Sequence, residues 1–347
     1  MANRVGSAQP SRNNGRPLSW LSKLFASKQL GWAALAIALL APFVTATPYA
    51  LNVMTTAAIF VLLASGLNIV VGYCGLLDLG YIAFMAVGAY TAGIVAKSFQ
   101  LPLIFTIPVV IVMTVLAGLI IGAPTLRLRS DYLAIVTLGF GEITRITANN
   151  LTITGGPSGI FGIPGILKIG DFDLQQPAVF YYFTIVVVAG LVLASARLLN
   201  SRLGRAWRFV REDEDAAESM GIHTYRVKLM AYIFGAIWGG FGGILFAAHL
   251  SAVSPQSFVF LQSALVLMAV VLGGMGNMRG VVLGAVVISL LPELLRDFSS
   301  YRYLVFGILL VIVMVFRPQG FWPARGFEPE RKDDATVRAA FRNTGDR

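Results

Sequence analysis

Glu142 and Arg145 stand three residues apart in an otherwise apolar stretch. At 100° per residue they share a helical face with Asp131 and Asn149. If the stretch crosses a bilayer, a charge at its centre costs ~2.5–3.5 kcal/mol on insertion scales, so this face must look into protein. One turn apart, the two charges can neutralise each other. Two readings follow: a polar seam beside a translocation path, or an ion pair that locks this segment to its neighbours. Asp78 is another acid in apolar surroundings. It lies in GYCGLLDLGYIAFMAVGAY, residues 72–90, where Gly72, Gly75 and Gly80 predict a broken or re-entrant helix start. There its carboxylate can cap free backbone N–H groups or meet a substrate. Asn68, in the preceding apolar run, can hydrogen-bond across helices without any ligand.

Other chemistry is poorly served. The single Cys74 excludes a disulfide framework, and two His residues with one Cys argue against a metal site. His223 and His249 are far apart along the chain, and no nucleophile–base pair is visible, so no catalytic residue is assigned. The segment TGGPSGIFGIPG, 154–165, is glycine-rich but lacks the Gly-Lys-Ser/Thr of a phosphate loop. Its Thr154, Gly155, Gly156, Pro157 and Gly159 predict defined turns within a loop spanning 150–176. Either a docking or gating element or a plain connector fits that loop.

Composition sets the frame. The chain has 347 residues, 56% hydrophobic and 13% charged, where an ordinary soluble domain is roughly 25% charged. Segments 1–29, 200–228 and 317–347 hold 28 of the 44 charged side chains. A soluble globule cannot hide that much apolar surface. A soluble enzyme, a nucleic-acid-binding domain and a disordered chain are excluded, and an all-α polytopic membrane protein is expected. The net charge of +10 fits basic residues gathered on the cytoplasmic side rather than nucleic-acid binding.

About ten transmembrane helices are expected, near 30–47, 49–71, 76–96, 103–123, 131–149, 177–199, 229–249, 261–276, 280–295 and 302–316. The last three are short enough to include half-spans. With a cytoplasmic N-terminus, 22 basic residues fall inside and four outside, which supports ten spans with both ends in the cytoplasm. The first apolar run begins only at about residue 30, too late for a cleaved signal, and reads as an uncleaved span. The chain then divides into a basic cytoplasmic segment 1–29, a membrane domain 30–316 and a charged cytoplasmic tail 317–347. Small residues at every fourth position, Ala231, Gly235, Gly239, Gly243 and Ala247, form a ridge for close helix approach, either within one subunit or in a moving core.

The cytoplasmic loop 200–228 carries REDEDAAESMGIHTYRVK. Asp213, Glu214 and Asp215 sit where acids favour a helix N-terminus, Ala216 and Ala217 continue it, and Gly221 ends it. Asp215-Ala216-Ala217, three residues, then Gly221 resembles the EAA-x3-G motif of bacterial ABC-importer permeases, with Asp for Glu. The segments SGLNIVVGYCGLLDLGYIAFMAVGAYTAGI (65–94), LRSDYLAIVTLGFGEITRITANNLTITGGPSGIFGIPG (128–165) and VVLGGMGNMRGVVLGAV (270–286) are similar to the permease subunits of branched-chain amino-acid ABC transporters, in particular the LivM-like partner of the heterodimer. The resemblance covers about 50–318. It implies a type II-like importer permease in the plasma (inner) membrane of a bacterium. It also implies a second homologous permease subunit, two cytoplasmic ABC ATPases and a periplasmic substrate-binding protein. The motif helix would dock on an ATPase with Ala216 and Ala217 facing it, and 154–159 would match the family's Thr-Gly-Gly segment. ATP and Mg would be bound by the ATPase, and no cofactor is expected in this chain. Urea or short-chain amide ABC permeases share these features. An ion-coupled secondary transporter or channel remains as a reading of another class, with Asp78 or an unpaired Glu142 as its titrating acid.

The topology is open to direct test. A cysteine introduced at Ser158 should react with a membrane-impermeant thiol reagent added outside the cell; reaction only from the cytoplasmic side would overturn the scheme.

Overall fold

The computed structural model describes residues 47–126, 130–169 and 172–294 and the positions 304, 305, 307, 308, 311, 320 and 322, all within the compact unit Thr45–Arg347. The segment 1–29, almost all of the expected first span, most of the expected tenth span and most of the tail lie outside the described residues, as does the side chain of Asp131.

The described chain is helical almost throughout. Helix α1, Pro48–Leu67, runs on into a π-helical turn at Asn68–Tyr73, and α2 is Ile82–Phe99. A 3-10 turn at Leu103–Thr106 leads into α3, Ile107–Thr125. Then come α4, Ser130–Asn150; α5, Pro177–Leu199; α6, Arg202–Glu212; α7, Glu214–Ser219; α8, Thr224–Leu250; α9, Phe260–Gly273; and α10, Met278–Leu294. Four two-residue strands complete it: β1 Ile160–Phe161, β2 Lys168–Ile169, β3 Phe172–Asp173 and β4 Ala252–Val253. β1 pairs antiparallel with β4, Ile160 opposite Val253, and β2 with β3.

Local chemistry sets several helix ends. Thr47 caps α1, its Oγ1 accepting from the Ala50 N–H at 3.4 Å, and Pro48 takes the first helical position. Pro177 opens α5 in the same way. Helix α2 closes on Gln100 in the left-handed region.

Among the described residues, five helical stretches are long and apolar enough to cross a membrane: Pro48–Tyr73, Ile82–Phe99, Leu103–Thr125, Pro177–Leu199 and Thr224–Leu250. They correspond to the expected second, third, fourth, sixth and seventh spans. The third departs at its start: 76–81 is not helical, and α2 begins only at Ile82. Helix α4 has 21 residues, but Glu142, Arg145 and its Thr and Asn residues make it more polar. Helices α9 and α10 have 14 and 17 residues.

Helix α8 is the hub, packing against α1, α2 and α3, while α1 also meets α5 and α10. The small-residue ridge lies in these contacts. A Cβ on Gly243 would stand 2.3 Å from the Met85 carbonyl oxygen, and one on Gly88 would stand 2.6 Å from Gly240 Cα. The ridge therefore serves packing within one chain, with the α2 and α8 backbones nearly in contact.

Gly243→Val should accordingly cost about 1–3 kcal/mol through overpacking and lower the melting temperature of the detergent-solubilised protein. Gly190→Val on α5, where a Cβ meets nothing within 4 Å, is the matched control and should leave it unchanged within error. Equal melting temperatures would disprove the close-packed α2–α8 seam.

Candidate functional site

The chain leaves helix after the π turn and regains it at Ile82, in the interior of the bundle. Asp78 is 1% exposed in this break. Its Oδ1 accepts from the Gly80 N–H at 2.8 Å, the backbone-capping one of the two roles the sequence left open. Tyr232 and Thr137 present hydroxyls to the carboxylate, yet Oδ2 has no hydrogen-bond partner. Thr137 of α4 accepts from the Leu79 N–H at 3.0 Å, and Ser263 of α9 accepts from the Ile82 N–H at 3.0 Å. Three elements thus close the break.

Glu142 and Arg145 pair on α4, Arg145 Nη2 to Glu142 Oε2 at 2.8 Å, with side chains 34% and 30% exposed. Among the described residues the pair holds no other part of the chain by an ion pair or hydrogen bond. Asn149 is half-buried one turn beyond it. Glu142 lines a narrow cleft with Leu79, Leu138, Phe258, Phe260 and Ser263. The structure therefore brings the Asp78 turn and Glu142 to the same α2–α4 contact. Asn68 lies elsewhere, fully buried in the π turn, where its Oδ1 accepts from the Gly276 N–H at 3.0 Å and its Nδ2 has no partner.

The segment Asp213–Gly221 forms a separate cluster. The three acids open a helix as expected: α6 ends at Glu212, Asp213 in extended conformation caps α7 with Oδ1 accepting from the Ala216 N–H at 2.9 Å, and Glu214 and Asp215 fill its first turn. Gly221 stops α7 at φ +83°, its N–H donating to the Glu218 carbonyl at 2.9 Å and the Ile222 N–H to the Ala217 carbonyl at 3.1 Å. This double bond pattern is a Schellman cap, which needs a left-handed residue at that position. Glu212, Asp213, Glu214, Asp215, Ala216, Glu218 and Met220 are exposed. Ala217 is 4% exposed: it turns into its own chain, so only Ala216 has the outward face expected of both alanines.

Two basic side chains hold this cluster to the bundle. Lys228 of α8 pairs with Glu214, and Arg211 donates to the Gly72 carbonyl in the π turn. Half-burial draws the Arg211 guanidinium below its ordinary pKa, with the charges of Glu212 and Tyr73 opposing the shift; it stays protonated. At the opposite end of α8 the loop 154–165 is pinned in place. Thr154 Oγ1 donates to the Ala148 carbonyl at 2.6 Å. The Lys97 ammonium donates to the Phe161 carbonyl at 3.1 Å. Gly155, Gly156 and Gly159 have positive φ, as their turns require, and Pro157 lies in the 3-10 turn Gly156–Ser158.

Ser263, Thr137, Tyr232, Arg211 and Lys228 carry these sites without having been singled out in the sequence. Each acts across 14 or more residues, and only Arg211 and Lys228, the basic residues that bracket the acidic segment, carried any signal. No group of three or more His, Cys, Asp or Glu that could hold a metal occurs among the described residues.

Comparison with known proteins bears on these clusters. The family model described as branched-chain amino acid transport system / permease component matches residues 49–314. The high-affinity branched-chain amino acid transport system permease protein LivM of Escherichia coli (strain K12) is 42% identical over 315 residues, covering 84% of this chain and 74% of LivM. The probable LivM of Methanocaldococcus jannaschii is 27% identical over 236 residues, 62% of this chain and 68% of the relative. The LivH permease protein of Salmonella typhimurium (strain LT2) is 21% identical over 287 residues, 78% of this chain and 92% of LivH. No solved structure matches.

Asn68→Leu strips Gly276 of its acceptor and leaves a buried N–H unsatisfied, a cost of about 1–3 kcal/mol. Thermal unfolding of the solubilised protein should shift down accordingly, while Asn68→Asp, which keeps Oδ1, should retain part of the loss. An unshifted Leu variant would mean that the π turn does not depend on this bond.

Proposed function

Because the chain belongs to the branched-chain amino acid transport permease family, we propose that it is the membrane-spanning subunit of an ABC importer for leucine-, isoleucine- and valine-type amino acids. It is a transport subunit and not an enzyme. A second, homologous permease of the LivH kind completes the membrane domain, two cytoplasmic ABC ATPases bind ATP and Mg, and a periplasmic binding protein delivers substrate. Ten spans, a type II-like arrangement and cytoplasmic termini complete the reading, with 30–316 as the membrane domain between the segments 1–29 and 317–347.

The observation that carries the coupling role is the segment Asp213–Gly221. It forms a short helix capped at both ends, held to the bundle by Lys228 and Arg211 and by buried Ala217, and otherwise exposed. Nothing within the bundle needs its outer face, and that face is what an ATPase groove would meet. When ATP binding draws the ATPases together, a helix so attached must carry displacement into α8 and the π turn, the motion that alternating access requires. The loop 154–165, at the other end of α8, lies on the side expected to receive the binding protein.

Mutation of the docking face tests this. Gly221→Val has room for its side chain but forces a β-branched residue to positive φ, at about 1–2 kcal/mol. Combined with Ala216→Glu, it should leave the permease in the membrane while ATPase co-purification, leucine uptake and binding-protein-stimulated ATP hydrolysis fall together, by roughly tenfold. Ala217→Glu differs: it buries a charge in the permease itself and should lower the folded protein. Normal uptake and full co-purification with the Gly221 and Ala216 double variant would refute the coupling role. ATP hydrolysis stimulated by a urea- or amide-binding protein, and not by a leucine-binding one, would reassign the substrate.

A further inference from the structure

A narrow cleft, too tight in this conformation to admit a water molecule, lies where α4 meets the starts of α2 and α9. Its walls are Leu79, Leu138, Phe258 and Phe260, with Ser263 and Glu142 as the polar residues. Helix α2 begins here, inside the bundle, after the non-helical segment 74–81, and α9 begins here after a 3-10 turn at Pro255–Phe258. Non-helical backbone at membrane depth is tolerated where it is buried or lines a cavity. Glu142 follows Ser130 by twelve residues, about 18 Å along the helix, so it stands away from both ends of α4.

The charges here have an unusual setting. An ion pair that merely fastens two elements should bridge them, but Glu142 and Arg145 lie on one helix and bond to each other. Such a pair gives α4 only about 0.2–0.5 kcal/mol, far less than carrying two charges into an apolar layer costs. Both side chains are about one-third exposed, and Ile146, one turn from Glu142 on the same side of α4, is exposed beside them. In lipid such a mixed face is unfavourable; beside a solvated path it is not. A cation and an anion adjacent on one wall complement a zwitterion and no ligand of net charge: an α-ammonium can replace Arg145 on Glu142 while the α-carboxylate replaces Glu142 on Arg145. The apolar walls of the adjoining cleft then suit a branched aliphatic side chain.

We infer that Glu142 and Arg145 form a substrate contact on the translocation path, opening to take the ammonium and carboxylate of an amino acid whose side chain enters the cleft walled by Leu138, Phe258 and Phe260. This rests on the importer reading above and deepens it by naming the contact. In the present conformation the cleft is pinched shut, so the site is built when α4 separates from the starts of α2 and α9. Ser263 and Thr137, which bond the backbone at that seam, lie on the path of that opening.

The test uses the whole importer in nanodiscs. Cys74 is the sole cysteine of this chain, so Cys74→Ser with Leu138→Cys gives the chain one reporter thiol, on the cleft wall, read on the permease band alone. Its reaction with a small methanethiosulfonate should be slowed by L-leucine, and slowed less by 4-methylpentanoate, which lacks the ammonium, or by leucine methyl ester, which lacks the carboxylate. Glu142→Gln alone leaves Arg145 without its partner and is expected to lower the folded protein, so the informative variant is Glu142→Gln with Arg145→Gln. It should assemble with the ATPases yet lose leucine protection and leucine uptake by roughly tenfold or more, the effect of losing charge-assisted hydrogen bonds to the ligand. Full uptake and unchanged protection in the double variant, or equal protection by the one-charge analogues, would overturn the contact. The importer reading fails separately, if the parent complex takes up no branched-chain amino acid; protection by another zwitterion in that complex would still support the contact.

Discussion

Backbone that leaves the helix inside an apolar bundle must find its hydrogen bonds in protein, because no water or lipid supplies them. The segment 74–81 meets that demand one group at a time. The Cys74 and Leu76 N–H groups return to the Ile69 and Val70 carbonyls, Leu79 donates to Thr137, Gly80 to Asp78 and Ile82 to Ser263. Each acceptor fixes one neighbour: Thr137 places α4, Ser263 places α9, and Asp78 folds the turn on itself. With the break held this way, α2 starts inside the bundle and runs along α8 with the backbones nearly touching at Gly88 and Gly240. The cleft is the space that this late start leaves against α4.

The parts legible in the sequence are those governed by nearby residues. Hydropathy locates the long helices because crossing an apolar layer requires an unbroken apolar run, and α5 occupies the expected 177–199. Gly221 betrays the end of α7, since a Schellman cap needs a left-handed residue. The glycines around Asp78 announce the break, although hydropathy alone carries the third span through it, because leucines and a cysteine there are as apolar as a helix would be. What could not be read is the side of each residue. Ala216 and Ala217 look equivalent in a motif, and only the joint at Asp213 turns one out and the other in. The small-residue ridge on α8 has the same spacing whether it meets another subunit or α2. Ser263 gives no local sign that its hydroxyl serves an amide 181 residues away.

The π turn joins the two clusters. Gly72 lends its carbonyl to Arg211 from α6, and Asn68, one turn earlier, holds the Gly276 N–H between α9 and α10. A Cβ on Gly72 would collide with both the Asn68 side chain and Gly276, so the three sites cannot shift independently. π turns concentrate at functional positions because the extra residue disturbs the regular bonding ladder and exposes carbonyls to side chains. Here the disturbed carbonyl is the one that the exposed α6–α7 segment grips.

Unequal bonding across the bundle decides where relative motion is cheapest. Sliding α2 along α8 must separate interlocked backbones, with Gly88, Gly239 and Gly243 each seated against the other helix, and close-packed surfaces of this kind lose contacts steeply with displacement. Parting α4 from the start of α2 removes the Leu79–Thr137 bond and draws Gly80 away from the Thr137 carbonyl, against which its backbone is seated at this one point. The seam is also where polar capacity is left over: Asp78 Oδ2 is buried without a partner, a condition that costs about 1–3 kcal/mol, more for a charged group, and that any rearrangement admitting water or a polar ligand would relieve. A break bonded through the Cys74, Leu76, Leu79, Gly80 and Ile82 N–H groups but incompletely satisfied at its side chains holds α2 in place and sets the α4 face, with its paired charges, against the one seam where polar capacity is left over.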